Sequence, residues 1–91
     1  MDAQLKAKWV EALRSGEYKQ TTEVFQRDGG FCCLGVLCDV AGKPALLDDE
    51  GGNWAFVDTE AGLASVSWRL ATMNDEGASF AEIADYIEQN L

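Results

Sequence analysis

Asp28-Gly29 constrains this chain more than any other pair of residues. A tight two-residue β-hairpin turn needs positive φ at both central positions, and Asp followed by Gly meets that need at low cost. Before the turn, Tyr18 to Phe25 is rich in Thr, Val and aromatic residues and reads as a strand. After it, Phe31-Cys32-Cys33 reads as the returning strand. Both ends of the chain carry helical patterns, so a hairpin in the first half makes the class α+β.

The first helix spans Asp2 to Arg14, where Leu5, Trp9, Ala12 and Leu13 form one apolar stripe. Asp2 caps its start and Gly16 stops it just after Arg14, a base suited to the negative end of the helix dipole. Leu34, Leu37, Cys38 and Ala41 make a second stripe, ended by Gly42 and Pro44, and predict a short middle helix. Residues 45–58 read as a second hairpin. Ala45-Leu46-Leu47 and Trp54-Ala55-Phe56-Val57 are its strands, with an acidic, glycine-rich tip between them. Helical pattern resumes near Leu63, with Val66, Leu70 and Met73 on one face, and turns over at Asn74 to Gly77. Ser79 and Glu82 form a capping box for a last helix that turns Phe80, Ile83, Ala84, Ile87 and Leu91 inward.

The expected architecture is thus a small single α+β domain over residues 1–91. It has an N-terminal helix, one or two β-hairpins forming a small antiparallel sheet, a short middle helix and a C-terminal helical hairpin. Trp9, Leu13, Leu37, Leu70, Phe80, Ile83 and Ile87 are its expected core. No apolar run approaches the roughly 20 residues that span a bilayer. Met1-Asp2-Ala3-Gln4-Leu5-Lys6 has no signal-peptide character, so a cytoplasmic location is expected.

Charge is unevenly placed. Residues 1–45 carry six acids and six bases, whereas residues 46–91 carry ten acids and Arg69 alone, so the whole net charge of −9 sits in the second half. Such a field repels nucleic-acid phosphates and anionic lipids and attracts a basic protein surface. On the last helix Glu82 and Asp85 share a face with no Lys or Arg three or four positions away. Asp75, Glu76, Glu82, Asp85 and Glu88 are the candidate partner-binding residues. The stretch from Leu70 to Ala84 resembles the first half of a helix-turn-helix, but the groove-reading helix would have to follow it and its charge opposes phosphate. No direct nucleic-acid binding is expected.

Cys32, Cys33 and Cys38 crowd into seven residues. Adjacent cysteines do not readily pair, and structural zinc prefers well-separated Cys pairs, often joined by His, which this chain lacks. A metal-binding module at these cysteines is therefore the weaker alternative, and small buried hydrophobes the stronger. On a strand, Cys32 and Cys33 point to opposite faces and leave one toward solvent. Without His, neither a cysteine nucleophile nor a tuned carboxylate pair is evident, so no catalytic residue, metal or cofactor is assigned. The acidic tip at 48–53 lacks the ligand spacing of a calcium loop, and the glycines do not form a phosphate cradle. A second alternative is a pocket for a small ligand, such as a nucleotide-derived signal, near Tyr18, Lys19, Arg27 and Trp54.

Three segments carry a resemblance: Ala12 to Gln20; Phe31-Cys32-Cys33-Leu34-Gly35-Val36-Leu37-Cys38-Asp39; and Met73-Asn74-Asp75 with Ser79 to Glu88. Together they resemble a family of small uncharacterised proteins encoded by tailed phages and prophages. The resemblance covers most of the chain and brings no catalytic residues. It implies a bacterial host cytoplasm and an accessory protein that acts by non-enzymatic binding to a host protein. Inhibition of an antiviral defence component through the acidic half is one form of that role.

Overall fold

A computed structural model describes residues 1–43 and 53–91. Helix α1 runs Ala3–Arg14; strands β1 (Lys19–Gln20), β2 (Gln26–Arg27) and β3 (Gly30–Phe31) form one sheet; α2 runs Cys33–Val40. A π-helical turn at Phe56–Glu60 follows, then α3 (Ser67–Asp75) and α4 (Phe80–Asn90). The expected helices at both ends and in the middle are present. Asp2 caps α1 by accepting from the Leu5 N–H at 2.8 Å. The capping box of α4 is complete, with Ser79 Oγ accepting from Glu82 N at 3.1 Å and Ser79 N donating to Glu82 Oε1 at 2.9 Å.

The Asp28-Gly29 turn forms as expected, with Asp28 at φ 52° and Gly29 at φ 81°, but the arms it joins are Gln26–Arg27 and Gly30–Phe31 in place of Tyr18–Phe25 and Phe31–Cys33. The sheet around it is mixed, not antiparallel. Strand order is β1-β3-β2, with β2 antiparallel and β1 parallel to the central β3. The chain leaves β1, crosses through residues 21–25 and re-enters by the hairpin, which sets β3 in the same direction as β1. The expected strand Tyr18–Phe25 is cut to two residues. Glu23 takes a left-handed φ of 72° and cannot continue a ladder.

The expected returning strand also stops early, because Cys32 is already a helix N-cap. Its Sγ accepts from the Gly35 N–H at 3.4 Å, and its own N–H donates to Phe25 O at 3.1 Å. Gly35 is required by this approach, since a Cβ there would lie 2.0 Å from the Phe25 carbonyl oxygen. From Cys33 to Cys38 every residue of α2 is buried, so α2 is the hub on which α1, α3 and the π-helical turn pack. All seven expected core residues are buried.

Of the expected second hairpin, residues 44–52 lie outside the described residues. The described part is helical. Trp54 and Ala55 lead into the π-helical turn, closed by the Ala61 N–H donating to Phe56 O at 2.9 Å. Phe56 and Val57 are adjacent and both buried, which a strand with one solvent face does not allow. Among the described residues no helix is long and apolar enough to cross a membrane.

Candidate partner-binding face

Asp75 lies at the end of α3 with Glu76 as its cap, and Glu82, Asp85 and Glu88 lie on α4; all five are exposed. Four of the carboxylates have partners within the chain. Asp75 Oδ1 accepts from the Glu23 N–H at 2.7 Å and so holds the left-handed residue that ends β1's path. Glu82 accepts from the Ser79 N–H, which holds its carboxyl below the usual range. Asp85 Oδ1 and Glu88 Oε1 both accept from Arg14 Nη2, at 2.5 and 2.8 Å. That hydrogen bond lowers the Glu88 carboxyl pKa, while Glu88 and then Asp85 raise that of the guanidinium.

The helix-local reading of α4 as uncompensated is therefore corrected. No base lies at helical spacing along α4, yet Arg14 reaches across from α1, the helix that packs most extensively against it. Glu76 is different: among the described residues its carboxylate makes no hydrogen bond or ion pair, which leaves it available to a partner.

Residues of the small-ligand alternative are distributed around the sheet. Lys19 and Arg27 both pair with Gly30, on opposite outer strands. The Tyr18 hydroxyl donates to the Asp39 carboxylate, and its ring stands edge-on to Phe31 at 5.3 Å. The Asp39 hydrogen bond, with burial second, pushes the phenol up to about 12. Trp54 stands edge-on to Phe25 at 5.1 Å. A groove of about 570 Å³ lies elsewhere, along α1, with Lys6, Arg14, Glu11 and Glu88 around Val10. Its two bases and two acids balance, so it offers no excess charge to an anion.

All three cysteines are free and buried. The expectation that Cys32 or Cys33 faces solvent on a strand is overturned, because Cys32 caps α2 and Cys33 begins it. Cys33 Sγ donates to Leu70 O at 3.5 Å. Burial pushes all three thiols up, Cys38 to about 12. Among the described residues no group of three or more Cys, Asp or Glu is arranged to hold a metal ion.

Two further residues matter here: Asn74, expected in the turn after the helix, lies inside α3, and Trp68 is not singled out by the pattern. Asn74 is fully buried. Its Oδ1 accepts from Gln20 Nε2 at 2.9 Å and from the Cys33 N–H at 3.2 Å, and its Nδ2 donates to Thr21 O at 2.8 Å. Spacing gave the signal: Leu63, Ser67, Leu70 and Asn74 fall on one helical face, and the first three are buried. The second is Trp68, which lies off that stripe and is 78% exposed.

Residues 1–60 match the family model described as a domain of unknown function, DUF8296. The chain belongs to the DUF8296 family. The DUF8296 match takes in α1, the sheet, α2 and the π-helical turn; Trp68 and the five candidate carboxylates lie beyond it. No curated protein and no solved structure matches the chain.

Proposed function

We propose that this DUF8296 protein is a phage or prophage accessory protein that works by binding a basic surface of a host protein in the bacterial cytoplasm, without catalysis. The carrying observation is the charge asymmetry: ten acids against Arg69 after residue 45. Solubility needs net charge but does not need it confined to one half of a chain. Complementary fields speed association and reject wrong partners. Proteins that hold nucleic acid must be basic where they do so, which makes a nucleic-acid-binding defence component a fitting target.

Of the five candidates, Asp75 and Glu82 are tied to backbone N–H groups, and Asp85 and Glu88 share the Arg14 guanidinium, which offsets one of their two charges, so Glu76 is the carboxylate left without a partner among the described residues. Glu76 is the position where charge reversal disturbs the fold least. A phage carrying Glu76→Lys should lose the plating advantage that the wild-type gene confers on a restrictive host, while the variant protein melts like wild type. Full activity of that variant would reduce the acidic surface to a solvating one.

A further inference from the structure

Helix α3 has two faces with different duties. Ser67, Leu70 and Asn74 point inward and are buried. The opposite face carries Trp68, Arg69, Thr72 and the capping Glu76, of which Thr72 is partly buried and the rest exposed. The Trp68 indole makes no hydrogen bond or ring contact among the described residues. The fold therefore does not use its indole.

We infer that this face of α3 is a docking surface for a basic segment of a partner protein, with an arginine or lysine of that segment lying over the Trp68 ring and a second base meeting Glu76. The inference rests on the partner-binding reading above and names where it acts. Trp is the residue type most often found at the energetic centre of interfaces. Its ring face attracts cations, arginine above all. Trp68, Thr72 and Glu76 follow one another at four-residue spacing, so the first and last are about 12 Å apart in backbone rise along the helix. Two bases about eight residues apart on a partner helix span the same rise. Arg69 lies a quarter-turn from Trp68 and repels a cation from that side, which directs the approach to the edge shared with Ala71 and Asp75. Arg69 and Glu76 balance on the face itself, so the occupant is read from the charge of the whole chain and from Asp75 at the open edge: a second copy or an anionic lipid surface would have to meet a net charge of −9, whereas a basic segment is drawn to it.

The test uses the full chain and nona-arginine peptide at low salt, followed by amide and indole chemical shifts. The largest changes should fall on the Trp68 indole N–H, Thr72 and Glu76. Trp68→Ala should weaken binding about fivefold, the loss of one exposed cation–π contact, with no change in melting temperature. Shift changes centred on α4, with Trp68→Ala binding like wild type, would overturn the docking face and leave the basic-partner reading standing. Absence of saturable binding anywhere would overturn both. Wild-type dimerisation that Trp68→Ala abolishes in sedimentation would assign the face to a second copy instead.

Discussion

The Asn74 side-chain oxygen accepts the backbone N–H of Cys33 at 3.2 Å, tying the end of α3 to the first turn of α2. The same carboxamide holds Gln20 and Thr21, so one residue joins β1's exit, the central helix and the C-terminal hairpin. Asp75 extends the clamp to Glu23. This is the physical content of the Met73-Asn74-Asp75 segment.

Asn74→Leu should destabilise the fold by about 3 kcal/mol, because it strands the Cys33 N–H in the interior and removes the partner of the partly buried Thr21 carbonyl. Chemical denaturation measures it. A loss under about 0.5 kcal/mol would mean these groups find other partners.

Gly35→Ala sets two effects against each other. Alanine gains about 1 kcal/mol of helix propensity over glycine. A Cβ 2.0 Å from the Phe25 oxygen forces the α2–loop contact apart, and overpacking of this kind costs about 1–3 kcal/mol or more. Net destabilisation is expected in the same melts, and a stabilised variant would show that the loop yields freely.

Much of this architecture can be read from local chemistry. The Asp2 cap, the Asp28-Gly29 turn and the Ser79–Glu82 box each act within a few residues, so pattern suffices to place them. What pattern missed is long-range. Nothing near Tyr18 to Phe25 announces that Asp75 will hold Glu23 in a left-handed turn and end the strand. Phe56-Val57 is a short apolar run that suits a strand or a buried helical turn equally, and only packing decides. The acidic face was legible in composition, but its compensation by Arg14 was not, because the partner comes from α1.

Acid should expose that compensation. Glu88 and Glu82 have folded-state pKa values below their unfolded ones, so their contribution is present above the unfolded value and is lost as pH falls through the folded one. Melting temperature should drop below about pH 4.5, the ordinary glutamate value. Arg14→Met should flatten that drop by removing the Glu88 part. An unchanged acid limb would show that the pair does nothing for the folded state.

At alkaline pH the sign reverses. The Tyr18 phenol and the Cys38 thiol are raised to about 12, so the stability they lend is whole below the unfolded values of 10.0 and 9.0 and is lost as pH rises toward 12. Tyr18→Phe should remove a late phase from the tyrosinate absorbance titration. The buried thiols should resist a thiol reagent in the native protein at neutral pH and react on unfolding, and a chelator should leave the melting temperature unmoved. Rapid labelling of the native protein, or a chelator-induced drop in melting temperature, would contradict the structural role of the cysteines.

Affinity capture of the tagged full chain from phage-infected host cells tests the central claim most directly, with wild type, Glu76→Lys and Trp68→Ala run in parallel and each eluted by rising salt. The account predicts one host protein with a basic surface, held in stoichiometric amount by wild type, released by moderate salt and depleted from both variants. A partner retained equally by all three chains and indifferent to salt, or no enriched host protein at all, would contradict it.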